Sequence, residues 1–255
     1  MPNTPIELYV DGFVSQHMLR HPEDSAIDEP GARGTVSSCG DRVIRLVVAD
    51  DRAYDHVSAR TSGARTGIVK VFEAARRCDE LLRSQAHWEP QRPVRAMVYR
   101  DLRALPEAAL PEGLSLRPVR RLDDDALEGV ALEDAVALAL LADPGITESS
   151  RSFADHLRSL PPAINLFAAI DDGGTVRATS GAGVFGQEAS ILFVNTDPSW
   201  RARGIGRAMT AAALVAARLA GAQRATLDAT DVAASVYMRL GFEDAGRMTR
   251  FFGAR

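Results

Sequence analysis

The stretch that decides the fold is residues 191–209, which read ILFVNTDPSWRARGIGRAM. Its beginning belongs to a mainly apolar run, Ser190 to Asn195, of the kind expected for a buried strand. A polar turn follows, and apolar residues then recur at helical spacing from Gly204 to Ala220. The sequence therefore predicts a strand, a turn and an amphipathic helix in immediate succession.

Two glycines stand where this helix begins. Gly204 and Gly206 have no side chains, so the backbone around them can approach a ligand closely. The first N–H groups of a helix lack partners within it and, together with the helix dipole, attract anions. Three basic side chains add positive charge: Arg201, Arg203 and Arg207. The segment predicts a phosphate-binding loop, with an ordinary glycine-rich turn as the alternative.

Residues 201–206, RARGIG, resemble the R/Q-x-x-G-x-G/A acetyl-CoA loop of GNAT, the large family of acetyl-CoA-dependent N-acetyltransferases. A second block is also similar to that family. Residues 227–230, LDAT, end a predicted strand and precede a helix that carries Tyr237 and closes with residues 240–242, LGF. The resemblance covers about residues 114–255 and makes a GNAT domain the expected fold of this part.

The resemblance implies a mixed sheet that opens between its fourth and fifth strands, here Ser190 to Asn195 and Ala225 to Ala229, with acetyl-CoA as co-substrate in the opening. Backbone groups of residues 193–195 would lie along the pantetheine arm, and residues 203–207 would cradle the pyrophosphate. Relatives often carry Asn or Ser in place of Thr230, whose hydroxyl can still cap a helix. The expected cofactor-binding residues are Phe193, Val194, Asn195, Arg201, Arg203, Gly204, Ile205, Gly206, Arg207 and Thr230.

The resemblance also implies catalytic candidates. Tyr237 matches the tyrosine near the sulfur of CoA, where a phenol can protonate the departing thiolate; the alternative is a core residue whose hydroxyl binds backbone. Glu188 is the candidate general base by position, although its FGQEAS context favours a solvated turn residue. Asp228 is a second candidate, for which an outward-facing or capping carboxylate is favoured. A third possibility is that no base acts, because the amine arrives partly neutral.

A stretch rich in Pro and Ala, from Asp101 to Arg121, predicts a domain boundary. Residues 114–255 form the predicted GNAT domain, and residues 1–110 a smaller N-terminal α/β domain, interpreted as a second, degenerate GNAT-like copy or an unrelated unit. In the N-terminal part, residues 20–40 are predicted to be loop, and Gly67 to Ser84 is predicted to be a helix. Val43 to Val48 and Val94 to Tyr99 are predicted strands.

The composition narrows the class of protein. The chain has 255 residues, 46% hydrophobic and 25% charged, which excludes overall disorder. Its formal net charge of -4 predicts no binding of nucleic acid or an anionic membrane surface. Two cysteines, no leader and no apolar span favour a cytoplasmic protein. Lys70 is the only lysine, which we interpret as a coding bias toward arginine.

These observations predict transfer of an acetyl group from acetyl-CoA to a primary amine of a small molecule or peptide. A non-catalytic acyl-CoA sensor or interaction module with the same fold is the alternative, and a homodimer is left open. A nicotinamide dinucleotide is disfavoured, since residues 181–186, GAGVFG, are followed by a strand and not by a helix. No metal site is expected from His17 and His21, which lack a further ligand.

A segment of the N-terminal part looks like a decayed acyl-CoA loop. Residues 60–65, RTSGAR, carry Arg65 where the second glycine would stand, and its side chain would obstruct a phosphate. We therefore predict that the N-terminal part does not hold CoA at this loop.

Overall fold

We describe the protein from a computed structural model. The structure describes residues 4–20, 24–37, 43–62, 64, 66–105, 107–120, 129–142, 150–159 and 163–253. The helices are α1 (Pro5–Arg20), α2 (Tyr54–Thr61), α3 (Arg76–Ser84), α4 (Leu132–Ala142), α5 (Ser150–Ser159), α6 (Ile205–Leu219) and α7 (Asp231–Leu240). Short 3-10 helices span Asp51–Ala53 and Pro198–Trp200.

Thirteen strands lie within the described residues, and the first two form a hairpin. They are β1 (Ser25–Glu29), β2 (Ala32–Val36), β3 (Val43–Val48), β4 (Thr66–Phe72), β5 (Trp88–Pro90), β6 (Val94–Tyr99), β7 (Leu114–Arg120), β8 (Val130–Ala131), β9 (Ile164–Asp171), β10 (Val176–Phe185), β11 (Glu188–Thr196), β12 (Arg224–Ala229) and β13 (Glu243–Gly253). The chain divides into two compact units, residues 1–100 with 226–255 and residues 101–225.

The first unit contains a sheet in the order β1-β2-β3-β4-β13-β6-β12. β3 runs parallel to β4, whereas β13 runs antiparallel to β4 and to β6. Alternate residues of a strand point to opposite faces, and two apolar clusters result. Val69 and Val71 pack with α2 and α3, while Phe72 packs with Tyr9 and Phe13 of α1. The sheet is therefore covered by helices on both faces.

The second unit contains a sheet in the order β11-β10-β9-β7-β8. β9, β10 and β11 form consecutive antiparallel pairs. Ala169 and Ala178 pack with Ile205 and Met209 of α6 on one face. Leu166 and its neighbours of the same parity pack with α4 and α5 on the other face. The helix whose N-terminus is the predicted phosphate site is thus anchored on the strands that precede it.

The strands and helices predicted from Ser190 onward are confirmed, and two N-terminal predictions are wrong. The predicted helix Gly67 to Ser84 is a strand, β4, followed by α3. The run Ile68 to Phe72 is rich in β-branched residues and pairs with β3, which overrides its weak helical spacing. Within residues 20–40, the described segment 24–37 is largely the β1–β2 hairpin, turned by Gly31 at φ +81°.

Helix α1 was not predicted, although a sequence signal for it exists. Thr4 and Glu7 form a capping box: the Thr4 hydroxyl accepts from the Glu7 N–H, and the Glu7 carboxylate accepts from the Thr4 N–H at 2.7 Å. Pro5 takes the first helical position, where its missing N–H does no harm. Apolar residues at helical spacing from Ala126 to Leu141 predict a further helix; the helix observed there begins at Leu132, and residues 126–128 lie outside the described residues.

Two parts of the chain repeat one order of elements. Strand, 3-10 helix, helix, strand, helix and strand follow one another from β3 to α3 and β6, with the short β5 inserted, and from β11 to α7 and β13. Six elements thus recur in the same order, which is what the prediction of a repeat requires. Among the described helices, none is long and apolar enough to cross a membrane.

Candidate functional site

A bulge interrupts the antiparallel pair β10–β11. Thr179 faces Asn195 and Gly181 faces Leu192, so β11 carries one residue more than β10 between these pairs. Phe193 lies in the bulge at φ +52°, a conformation that costs a bulky residue about 1–3 kcal/mol. Its carbonyl accepts from Thr179 Oγ1 at 2.9 Å and from Asn195 Nδ2 at 3.2 Å. These bonds hold the predicted pantetheine-binding backbone in a shape outside the regular ladder.

The N-terminus of α6 is open. Gly204 precedes the helix at φ +80° and supplies no capping side chain. A Cβ atom at Gly204 would meet nothing within 4 Å, and one at Gly206 would lie 3.6 Å from Thr196 Oγ1. The N–H groups of the first turn, from Ile205 to Arg207, have no acceptor within the helix. This arrangement fits an anion, and in particular the pyrophosphate of a nucleotide cofactor.

The three predicted arginines are exposed and each contacts backbone or an aromatic ring of this unit. The Arg203 guanidinium lies 4.8 Å from the centre of the Trp200 ring. Arg201 Nε donates to the Thr196 carbonyl at 3.3 Å, and an Arg207 Nη donates to the Glu107 carbonyl at 3.3 Å. Their charges therefore remain at the surface near the loop, where an incoming anion can meet them.

Helix α7 carries the other predicted residues. The Thr230 hydroxyl accepts from the Ala233 N–H at 3.3 Å, which confirms its capping role. Tyr237 is 7% exposed, and its ring meets that of Phe242 edge to face at 5.8 Å. Burial raises the pKa of Tyr237 to about 12, so the phenol stays protonated at neutral pH. Its burial fits the alternative interpretation as a core residue, but among the described residues none shares the hydrogen bond with this hydroxyl that the alternative includes.

Glu188 is not the solvated turn residue that its context favours. It begins β11, is 4% exposed, and forms an ion pair with Arg224, whose Nε lies 2.8 Å from its Oε1. Five residue steps along β11 separate it from Phe193, or about 16 Å of extended strand. The ion pair gives Glu188 a structural role, because it joins the first residue of β11 to the first residue of β12.

Asp228 is neither outward-facing nor a helix cap. Lys70 Nζ lies 2.9 Å from its Oδ2, the Tyr9 hydroxyl donates to its Oδ1, and Arg250 lies 3.6 Å away. Burial alone would raise the pKa of Asp228, but the charges of Lys70 and Arg250 outweigh burial and hold it below its usual range. A carboxylate so engaged is a poor base.

Sequence reasoning missed the partners of Asp228. The single lysine, Lys70, has a structural role: its Nζ donates to the Tyr9 hydroxyl at 2.6 Å and lies 5.0 Å from the centre of the Phe13 ring. Its position in the alternating pattern of β4, as the polar residue between Val69 and Val71, was the available signal. A lone lysine on the inward face of a buried strand calls for a carboxylate partner, since an unpaired buried charge is costly.

The discounted motifs also have definite places. Residues 181–186 end β10 and its turn, as predicted for a strand. Arg60 and Thr61 are the last residues of α2, so the RTSGAR segment lies at the C-terminal end of a helix and not before the start of one. Gly63 and Arg65 lie outside the described residues. Burial raises the pKa of the Cys78 thiol to about 12. Among described residues, no group of three metal-ligating side chains occurs.

Comparison with known proteins shows which fold these features belong to. The family model of the acetyltransferase (GNAT) domain matches residues 162–244. No curated protein matches the sequence significantly. A GCN5-related N-acetyltransferase from Kribbella flavida is similar in structure, with a TM-score of 0.59 and 18% identity, over 99% of this chain and 96% of that one.

Two further solved structures are similar. A GCN5-related N-acetyltransferase from Sphaerobacter thermophilus has a TM-score of 0.54 and 18% identity, over 87% of this chain and 76% of that one. A tandem GNAT protein from the clavulanic acid biosynthesis pathway has a TM-score of 0.52 and 14% identity, over 96% and 93%. At such identities the likeness concerns the fold. The likeness shows that this chain has the GNAT fold, and the family model of the GNAT domain matches residues 162–244 of its C-terminal part.

Proposed function

We propose that the protein transfers the acetyl group of acetyl-CoA to a primary amine of a small molecule or peptide. The observation that carries the proposal is the strand-to-helix segment of the second unit. A strained bulge at Phe193 is followed by a helix whose N-terminus is open and preceded by Gly204 in a left-handed conformation. A bulge and an open helix end in succession supply backbone donors at two places along one extended ligand.

In this proposal, the N–H groups of residues 203–207 hold the pyrophosphate, and Arg201, Arg203 and Arg207 add charge beside it. Backbone groups of Phe193, Val194 and Asn195 bind the pantetheine arm. A backbone N–H of the bulge polarises the thioester carbonyl, because donors aimed at a developing oxyanion stabilise the transition state. The neutral amine attacks that carbonyl, the carbon–sulfur bond breaks, and the proton that the new amide nitrogen loses passes to solvent.

Tyr237 donates the proton that the departing thiolate needs. Its pKa of about 12 keeps the phenol protonated at neutral pH, so the proton is present when the thiolate departs. No free carboxylate is supplied by Glu188 or Asp228, which are bound to Arg224 and Lys70. These pairings favour the mechanism in which the amine arrives neutral over the one with Glu188 as base.

The first test is calorimetric titration of the full chain with acetyl-CoA. We expect saturable micromolar binding that is lost in Gly204→Glu, because the new carboxylate would lie at the pyrophosphate site in a backbone conformation that suits glycine. Gly221→Glu is the matched control. Gly221 also has a positive φ, +98°, with nothing within 4 Å of a Cβ, and it lies beyond the opposite end of α6.

Thiol release with a panel of amines then separates the two functions. Turnover with a primary amine supports the acetyltransferase. Binding of acetyl-CoA without turnover by any amine supports the sensor. Absence of binding by the folded wild-type chain, or equal loss in both glycine variants, overturns the proposed site.

A further inference from the structure

Arg177 of β10 joins the hairpin turn that precedes it to the loop between β11 and α6. Its Nε lies 2.8 Å from Asp171 Oδ2, and its Nη1 lies 2.8 Å from Asp197 Oδ2. Asp171 itself fixes its turn, since its carboxylate accepts from the N–H groups of Gly173 and Thr175. Arg177 is therefore held from one side by a rigid turn and binds the loop with the other.

Asp197 passes this restraint to the loop. Its Oδ1 accepts from the Ser199 N–H at 2.9 Å and from the Ser199 hydroxyl at 2.7 Å, and its carbonyl accepts from the Trp200 N–H at 2.8 Å. The bonds from Ser199 and the charge of Arg177 hold the pKa of Asp197 below its usual range, so it is charged at neutral pH. Asp197 thereby builds the 3-10 turn of Pro198–Trp200.

The Trp200 ring makes a second set of contacts that restrain the loop. The Arg177 guanidinium lies 5.0 Å from its centre and that of Arg203 lies 4.8 Å from it. Stacking of two guanidinium groups on one indole ties Arg203, which lies next to Gly204, back to β10. A continuous series of side-chain contacts thus connects Arg177 to Arg203, the residue before Gly204.

The loop needs such support because its backbone is unfavourable. Ala202 has φ +61° and Gly204 has φ +80°, so two residues lie in the left-handed region within three positions. Alanine rarely adopts this conformation, and glycine loses much entropy when fixed in it. A loop held in its binding shape beforehand avoids that loss when the ligand binds.

We propose that Arg177, Asp197 and Trp200 are positioning residues that hold the loop before α6 in its anion-binding conformation, through each other and without touching the ligand. With respect to acetyl-CoA, the inference rests on the proposed function. It predicts that loss of any of the three weakens binding of acetyl-CoA while leaving the chemical step intact.

Charge provides a decisive test, since attraction and positioning predict opposite signs. Asp197→Asn removes a negative charge beside an anion site, so simple electrostatics predicts tighter binding of acetyl-CoA. Positioning predicts weaker binding, because the amide has no charge and only one acceptor oxygen, so it cannot bind Arg177 and Ser199 with separate oxygens as the carboxylate does. Asp172→Asn is the matched control: it makes the same charge change at an exposed carboxylate of the preceding hairpin turn.

We expect Asp197→Asn and Arg177→Leu each to raise the Kd and KM for acetyl-CoA about 10-fold. kcat at saturation should stay within about 2-fold, and Arg177→Lys should recover part of the affinity, since it keeps the charge and one carboxylate contact. Asp172→Asn should match the wild type. Unchanged or tighter binding by Asp197→Asn overturns the proposal.

A ligand-free measurement separates this proposal from the proposed function. In Asp197→Asn, amide hydrogen exchange over residues 198–207 should accelerate about 10-fold, with the exchange of β9 and β10 unchanged. If wild-type protein does not bind acetyl-CoA but the exchange changes as expected, the function fails and the positioning stands. If acetyl-CoA binds and exchange in this segment is unaffected, the positioning fails and the function stands.

Discussion

The segment from β3 to α3 and the segment from β11 to α7 have the same order of elements and opposite chemistry where each first helix begins. Before α6, the loop carries Gly204 at φ +80° and exposed arginines. Before α2, it carries Asp50 and Asp51, and the Asp50 carboxylate already accepts from the Arg52 N–H at 3.0 Å. A helix end that is capped by carboxylates repels a phosphate, so only the second segment can receive one there.

The preceding strands differ as well. β3 pairs with β4 residue by residue from Val43 to Val48, without a bulge. β11 is interrupted at Phe193, where the φ of +52° turns the backbone out of its ladder with β10. Only the second strand therefore offers irregular backbone groups to a ligand.

The second helices differ at one matching position. The seventh residue of α7 is Tyr237, and the seventh residue of α3 is Leu82; both are buried. The N-terminal segment thus lacks a phenol where the C-terminal one could donate a proton. The two segments share the order of their elements, and a few residues in each decide whether it offers a phosphate-binding loop and a phenol that can donate a proton. It supports the interpretation of residues 1–110 as a degenerate GNAT-like copy, which stays a prediction, as does the domain boundary.

The two segments also meet at matching positions. Lys70 is the fifth residue of β4 and Asp228 is the fifth residue of β12, and they form the buried ion pair. The strand order β4-β13-β6-β12 places the last strand of the C-terminal part beside β4 and the last strand of the N-terminal part beside β12. The two parts have thus exchanged their last strands within the first unit.

The largest effect that would sharpen the contrast is that of Tyr237→Phe. Phenylalanine keeps the edge-to-face contact with Phe242 but cannot donate a proton, so kcat should fall about 100-fold or more with unchanged affinity for acetyl-CoA. Tyr54→Phe, on α2, is the control and should leave turnover unchanged. Steady-state thiol release together with calorimetry measures both. An unaltered kcat would remove Tyr237 from the mechanism.

The next effect concerns the matching strand positions. Lys70→Met removes one of the two cations next to the buried carboxylate of Asp228, and Arg250 remains as the other. We expect the free energy of unfolding to fall by about 2 kcal/mol. Urea unfolding followed by circular dichroism measures it. Lys70→Arg is the charge-preserving control, and Lys70→Met with Asp228→Asn should cost less than the sum of the two changes. A strictly additive pair would contradict the coupling.

The smallest effect tests the loops. Arg203→Asp places a carboxylate before α6, as Asp50 and Asp51 stand before α2, and should weaken acetyl-CoA binding about 10-fold. Arg218→Asp makes the same change of charge in the last turn of α6 and should have little effect. Equal affinity in Arg203→Asp and the wild type would mean that acidic residues do not explain the difference between the two loops.

Secondary structure that depends on neighbouring residues could be predicted from the sequence. The strand at residues 190–195, the helix at residues 204–220, the cap at Thr230 and the end of α7 at Gly241 depend on neighbouring residues and are predicted from the sequence. β4 was mistaken for a helix because a short apolar run has no decisive period, and its pairing with β3 settles the matter. The bulge at Phe193 has no local signal either, since it exists only relative to β10.

By itself, the sequence determined the family resemblance, the glycine loop and the position of Tyr237 on a helix, because each follows from spacing along one stretch. The tertiary structure decided which charges meet. Glu188 was drawn to Arg224, Asp228 to Lys70, and Arg177 to a turn and a loop that lie on either side of it in the chain. Ion pairs between distant residues arise from strand order and exchange of strands, and these are set by the whole chain when it buries its apolar faces.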